Sequence, residues 1–227
     1  MPVPSARRRQ ITEVVADDLR IQIMTGRLRS GDFVRLDETA IAYGCSVTPV
    51  REALVTLRGE GLVRSSRHRG FIVEALTKRD VADIFWIQAE LSARLATQAA
   101  DSDDIPDRLT ELTAIVDTIE TAVKAGEPDD VIAGEFAFHR TINIMADSKK
   151  VAWFLTAASR YSPYDVYVHD RAWGESAVAS HRRLINLLAD RDKAGIADEI
   201  RTQFGNARDR LVEHLESVGF WPDSPSA

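Results

Sequence analysis

Ser46, Thr48 and Arg51 stand close together at the start of the run SVTPVREALVTLRGEG, which reads as a helix. Two short hydroxyls can reach phosphate oxygens or base edges, and a guanidinium can grip a guanine edge with two hydrogen bonds. A second cluster follows in LVRSSRHRGFIV, where Arg64, Arg67, His68 and Arg69 surround a turn and Gly70 permits close backbone approach. A third, Arg7, Arg8 and Arg9, would make a basic N-terminal arm over residues 1–9, although such a run is equally at home as a solvated tail. Each cluster is chemistry for a polyanion.

These side chains need a scaffold, and the flanking pattern predicts one. From Gln10 to about Thr25 the residues Ile11, Val14, Val15, Leu19, Ile21 and Ile23 recur with mainly helical spacing, and Gly26 then stops the helix. A short second helix is expected over 37–43 with Asp37 as its N-cap, broken at Gly44. Ser46 would cap the third helix, with Pro49 in the first turn, where its missing N–H costs little. Two short strands around the basic tip complete the series over residues 10–75. Helix, helix, turn, helix, hairpin is the outline of a winged helix-turn-helix. That order also suits other small α+β modules, and the basic residues at the helix start and hairpin tip favour a DNA reader.

Beyond Leu76 the pattern changes. Segments such as DVADIFWIQAELSARLATQAA, DRLTELTAIVDTIETAVKAG, KVAWFLTAASRYSPY and ESAVASHRRLINLLAD carry helical periodicity between short polar breaks. Six or seven helices are expected over 76–219, an all-α bundle, with 220–227 as a tail. The fold class is therefore mainly α, a winged helix-turn-helix followed by a helical bundle.

A length of 227 residues allows one large domain or two modest ones. The chain is 44% hydrophobic and 28% charged, which excludes wholesale disorder. One cysteine, Cys45, allows no internal disulfide and suits a reducing compartment. Acids follow MPVPSARRRQ where a signal peptide needs an apolar run, and no stretch approaches the roughly 20 apolar residues of a membrane span. A cytoplasmic protein without a membrane partner is the expectation. The net charge of −6 divides unevenly: residues 1–75 hold 12 Lys+Arg against 9 Asp+Glu, net +3, and the remainder holds 17 against 26, net −9. A basic first third on an acidic body is the balance of a polyanion-binding module carried by something else.

The run RLDETAIAYGCSVTPVREALVTLRGEGLVRSSRHRGFIV resembles the winged-helix domain of GntR-family bacterial transcription regulators, through TPVREAL, EGLV and the RG of the hairpin. The helical remainder, through EFAFHR and SHRRLINLLADRDKAGIADEI, resembles the FCD effector domain of the FadR-like subfamily. The resemblance implies a homodimer on a two-fold double-stranded DNA operator, a repressor for choice, with affinity set by a small-molecule effector, an organic acid or related metabolite. It places DNA contacts at Ser46, Thr48, Arg51, Arg69 and Gly70. Where relatives usually carry a base-reading arginine, this chain has Val47, able only to touch a thymine methyl. Dimerism also follows independently, because one recognition helix reads too few base pairs to find a site in a genome.

The resemblance further implies a divalent metal, zinc, nickel or manganese, held by an acid and histidines in the bundle. Glu135 and His139 form an (i, i+4) pair on one helix face, and His181 lies on a later helix. Glu135 replaces the usual aspartate, and Gln203 stands where a third histidine is expected, offering a carbonyl oxygen as the fourth ligand. Without metal, His139 and His181 would be hydrogen-bonded residues lining a ligand cavity. Asn143 continues the 135–139 stripe towards the same cavity. Gln88 aligns with an arginine common among relatives, so the usual grip on an effector carboxylate is missing. Arg94, Arg140, Arg160 and Arg182 remain as substitutes, and Tyr161, Tyr164, Tyr167 and Trp173 could wall a pocket or form core.

A metal-dependent hydrolase or oxygenase using Glu135, His139 and His181 is the rival class. It leaves the helix-turn-helix unexplained and has no nucleophile or general-base motif beside those residues. A purely structural helical protein accounts for neither TPVREAL nor the basic hairpin.

Overall fold

Helical period decides the first element. Val15, Leu19 and Ile23 fall on one face of α1 (Ala6–Met24) and are buried there. They meet Val50, Ala53, Leu54 and Leu57 of α3 (Val47–Gly59), a second buried stripe at the same spacing. The computed structural model describes residues 6–66 and 70–221. Arg67, His68 and Arg69 therefore lie outside the described residues, as does the tail from Pro222.

Between those two helices lies α2 (Leu36–Ala42). It begins one residue before the expected start: Arg35 takes the N-cap position in extended conformation, and Asp37 falls inside the first turn rather than capping it. There its charge still complements the helix N-terminus. The expected hairpin is β2 (Val63–Ser66) and β3 (Gly70–Val73), antiparallel with Val63 opposite Val73 and Ser66 opposite Gly70. Sequence reading missed β1 (Phe33–Val34), two residues that follow the turn-rich LRSGD. It pairs antiparallel with β3, giving the order β1-β3-β2. Gly70 is required at that junction, since φ is +95° and an added Cβ would stand 2.7 Å from the Val34 carbonyl oxygen. The close approach expected of Gly70 is thus made to its own sheet.

The chain divides into two compact units. The first holds residues 1–80 together with 160–162 and 214–227, and the second holds 81–159 and 163–213. The C-terminal end packs within the first unit: Trp221 donates its indole N–H to the Leu76 carbonyl at 2.7 Å, and Arg29 donates to the Val218 carbonyl at 2.6 Å.

The second unit is helical throughout. It comprises most of α4 (Lys78–Ala99), then α5 (Ile105–Ala125), α6 (Pro128–Met145), α7 (Lys149–Ser159), the single turn α8 (Tyr164–Tyr167), α9 (Arg171–Ala189) and most of α10 (Lys193–Ser217). Among the described residues that is seven helices in the bundle, as expected, and ten in the whole chain. None of them is long and apolar enough to cross a membrane. The expected single helix through KVAWFLTAASRYSPY is two pieces, because the chain leaves helical conformation after Ser159 and Pro163 precedes α8. Helix α9 starts earlier than read, where the Asp170 carboxylate accepts from the Ala172 amide at 2.8 Å.

Helix α5 forms the axis of the core, packing against both α6 and α9. Leu112, Val116 and Ile119 are fully buried along it, against Phe138 and Ile142 of α6 and Leu184 and Leu188 of α9. Gly134 sets the α5–α6 approach: a Cβ there would lie 2.4 Å from Cγ1 of Ile119. The next residue along α6 is Glu135, so this close approach and the buried acid share one turn.

Candidate nucleic-acid interface and metal centre

In the first unit, the α3 stripe that buries Val50, Ala53, Leu54 and Leu57 leaves the opposite face outward. Ser46, Thr48 and Arg51 are all exposed there. Ser46 occupies the N-cap position by its backbone, but its hydroxyl makes no cap hydrogen bond. Arg51 makes no ion pair among the described residues, in contrast to Arg35 with Glu38 at 2.7 Å and Arg64 with Glu74 at 3.4 Å. Arg64 belongs to strand β2 rather than to the hairpin tip. Val47 is partly buried against the core of the unit, so its side chain is largely used in packing. The face that α3 presents is two hydroxyls and one unpaired guanidinium at a helix N-terminus, an arrangement for phosphate and base edges.

In the second unit, α6 and α9 bring Glu135, His139 and His181 together, with one ligand atom of each within 4.8 Å of the others. His181 Nε2 lies 3.0 Å from Glu135 Oε1, and His139 Nε2 lies 3.7 Å from Glu135 Oε2. Glu135 and His181 are buried, whereas the His139 side chain is 26% exposed and forms the open edge of the centre. Burial alone would raise the Glu135 carboxyl; the charge and hydrogen bonds of His181 and His139 outweigh it and hold the group far below the usual carboxylate range.

Gln203, on α10, is placed differently from the expected fourth ligand. Its amide nitrogen lies 3.5 Å from His181 Nδ1, the ring nitrogen turned away from Glu135. From there it can orient the imidazole by hydrogen bonding rather than share in holding an ion. Its Oε1 is buried and unpartnered among the described residues. Exchanging the two amide atoms would let that oxygen accept from Nδ1–H, which leaves Nε2 as the ligand atom.

The donor set passes the chemical test for a divalent transition ion. One carboxylate and two imidazoles converge from two helices, with an exposed edge for further ligands.

Two contacts of this centre were not legible beforehand. Phe138 stacks on the His181 ring with centroids 4.0 Å apart. Tyr164 of α8 is half-buried, its ring 5.8 Å from that of Phe136 next to Glu135, and lost solvation, then the Glu135 charge, pushes its hydroxyl well above the usual tyrosine range. The aromatic enrichment of that segment was the available signal. Tyr167 follows it in α8, stacked on Trp173 with centroids 5.3 Å apart and its hydroxyl buried without a partner among the described residues.

The two residues expected to touch an effector differ in setting. Asn143 is half-buried on α6, two turns beyond Glu135. Gln88 is buried on α4 and donates from Nε2 to the Ala158 carbonyl at 3.0 Å, tying α4 to the end of α7. Of the four substitute arginines, Arg94, Arg140 and Arg160 are exposed, and Arg182 pairs with Asp117 at 2.9 Å and Glu120 at 2.5 Å.

Comparison with known proteins agrees with both halves. The model of bacterial regulatory proteins of the gntR family matches residues 11–73, and that of the FCD domain matches residues 83–206. The chain belongs to the GntR-family transcriptional regulators that carry an FCD domain, the FadR-like architecture. It is 23% identical to the uncharacterized HTH-type transcriptional regulator YdhC of Bacillus subtilis (strain 168), over 88% of this chain and 90% of that one. It is 29% identical to the gluconate operon transcriptional repressor of the same organism, over 56% of this chain and 52% of the repressor, about half the length of that relative. The solved structure of E. coli McbR/YncC superposes with a TM-score of 0.68 at 22% identity, covering 89% of this chain and 97% of that one, a likeness of fold. The chain is thus a DNA-binding transcriptional regulator with an effector domain, and the rival reading as a metalloenzyme finds no support among these relatives.

Proposed function

We propose that this regulator is a cytoplasmic homodimeric repressor that leaves its operator when a small organic acid binds in the helical unit beside a divalent metal. The observation that carries the reading is the pairing, in one chain, of an outward α3 face bearing Arg51 with a Glu135, His139 and His181 centre in the helical unit. In the first unit Ser46, Thr48 and Arg51 contact the operator, joined by Arg69 and Gly70 of the hairpin.

The centre also argues for the effector class. Glu135 is a buried carboxylate, and an anionic ligand brought beside it unaided would meet like charge in a poorly solvated place. None of Arg94, Arg140, Arg160 and Arg182 is buried with its charge available to offset that. A zinc, nickel or manganese ion held by Glu135, His139 and His181 would supply the positive charge and the open coordination positions that a hydroxy or carboxylic acid needs. Asn143 and Gln88 supply amide groups to orient the ligand, and Gln203 steadies His181. The name of one relative, a gluconate operon repressor, points towards an acid of that kind.

The homodimer reading rests on exposed apolar side chains of α4 and α7. Trp86 on α4 and Trp153 on α7 are 64% and 63% exposed, with Ile87 and Phe154 beside them. Scattered apolar side chains need no explanation, but four large ones on two helices tied by the Gln88–Ala158 bond suit an interface with a second copy.

Metal analysis of protein purified without chelator or affinity tag tests the centre. The expected result is near one equivalent of metal per chain, lost on replacing His181 by Ala. Less than about 0.1 equivalent, even after metal is added, would overturn it.

A further inference from the structure

The most heavily charged buried cluster in the first unit lies away from the α3 reading face. Arg20 of α1 is only 1% exposed, yet it is a charged residue. Its Nε and Nη2 donate to the two carboxylate oxygens of Glu60 at 2.8 and 2.7 Å, and Nη1 donates to Asp17 at 2.5 Å. A buried guanidinium is tolerated only with such complete partnering. Glu60 is the C-cap of α3, so the fork fixes the far end of the DNA-reading helix.

A third group completes the cluster. The Tyr161 hydroxyl donates to Glu60 Oε2 at 3.0 Å, and the Arg20 guanidinium lies 5.5 Å from the centre of the Tyr161 ring. Tyr161 also packs against the core of the first unit. Its place in the sequence is unusual: residues 160–162 belong to the first unit, whereas α7 before them and α8 after them belong to the second.

Both flanks of that tripeptide are anchored in the second unit. On one side, the Ala158 carbonyl accepts from Gln88. On the other, the Tyr164 ring lies 5.8 Å from that of Phe136, the neighbour of Glu135 on α6. Seven residues of continuous chain, from 158 to 164, therefore carry Tyr161, bonded to the carboxylate that caps α3, between an anchor on α4 and one on the turn of α6 that bears Glu135. Chain of that length cannot shift at Tyr164 without its neighbours responding, because three residues span at most roughly 10 Å when fully extended.

We propose that Tyr161 is the coupling residue of this regulator, transmitting ligand occupancy of the helical unit to the C-terminal end of α3 through Glu60 and Arg20. The inference rests on the proposed reading that the centre responds to ligand. It adds the route: a hydroxyl holding one oxygen of a carboxylate that Arg20 of α1 holds by both. Tyr161 is a positioning residue and touches neither DNA nor effector.

A double-mutant cycle on the full chain tests it, with Glu135→Gln perturbing the centre directly and Tyr161→Phe removing only the hydroxyl. The first readout is affinity for DNA from upstream of the gene. Glu135→Gln is expected to change it by about fivefold or more in the wild-type background and by less than about twofold in Tyr161→Phe. The second readout, hydrogen exchange of residues 56–62, needs neither DNA nor metal, so it tests the coupling even if the regulator reading fails. Glu135→Gln should alter that exchange only when Tyr161 is present. Thermal unfolding of each variant separates lost stability from lost coupling, since a merely structural Tyr161 would lower stability and leave the two effects additive. Equal effects of Glu135→Gln in both backgrounds, or no effect on α3 exchange in either, would overturn the proposal.

Discussion

Phe138 lies flat against the ring of His181, with centroids 4.0 Å apart and planes 8° from parallel. Phe138 is itself fully buried, so the imidazole has an apolar wall on one face while Glu135 and Gln203 address its two nitrogens. The ring is thus held in plane by packing and in rotation by hydrogen bonds, the two constraints that an oriented ligand histidine needs.

Replacing Phe138 by Ala should therefore do two separable things. Removing a fully buried phenyl costs about 3–5 kcal/mol of stability, read as a lowered unfolding midpoint. Releasing His181 should also weaken metal binding, by about 10–100-fold, as loss of an orienting neighbour does. Phe138→Leu, which keeps most of the volume but no flat face, should recover much of the stability and less of the affinity. Full recovery of both would mean the stacking has no orienting role.

Arg51 offers the sharpest prediction in the first unit. Arg51→Ala removes the guanidinium without disturbing the buried stripe of α3, so folding should be unchanged by circular dichroism. Operator affinity should fall by roughly 1–3 kcal/mol, about tenfold or more, with relaxed preference at the base pair it reads. Near-wild-type affinity in a gel-shift titration would remove Arg51 from the interface.

The apolar face of α4 and α7 predicts the oligomeric state. Trp153→Glu puts a charge into the centre of the proposed interface and should convert a dimer to a monomer by light scattering at micromolar concentration. Because the side chain is 63% exposed in the single chain, the monomer should remain folded. A variant that stays dimeric would move the interface elsewhere.

Tyr161 predicts an alkaline signature. Burial first, then the Glu60 charge and hydrogen bond, push its hydroxyl up to about 12. A group raised above its unfolded value of about 10 contributes stability that is complete below that pH and is lost as pH rises through the folded value. The stability difference between wild type and Tyr161→Phe should accordingly be constant up to about pH 10 and shrink towards pH 12. A difference independent of pH over that range would show that the hydroxyl is not bonded to Glu60.

The sequence disclosed elements whose signal is local. The spacing of Val50, Ala53, Leu54 and Leu57 marks α3 and leaves Ser46, Thr48 and Arg51 outward, as the structure has them. Glu135 and His139 could be paired from (i, i+4) geometry, whereas His181, on another helix, was reachable only through resemblance. Strand β1 was hidden because two residues carry no periodicity; its evidence is the partner strand β3. Asp37 was misassigned as a cap because a good capping residue in a first turn looks the same in sequence as one at the boundary. Gln203 illustrates another limit: its identity was known, but which ring nitrogen of His181 it faces depends on how α9 and α10 pack. Arg20, Glu60 and Tyr161 were invisible as a group, since 40 and 101 residues separate Glu60 from its two partners.

Footprinting on DNA upstream of the gene, repeated across a panel of small hydroxy and carboxylic acids with metal present, tests the central claim most directly. The account predicts a two-fold symmetric protected segment whose half-saturation point moves by about 5–150-fold with one acid or a related group of acids. It also predicts that Glu135→Gln blunts that shift. Protection that no member of the panel alters, or no sequence-specific protection at all, would contradict it.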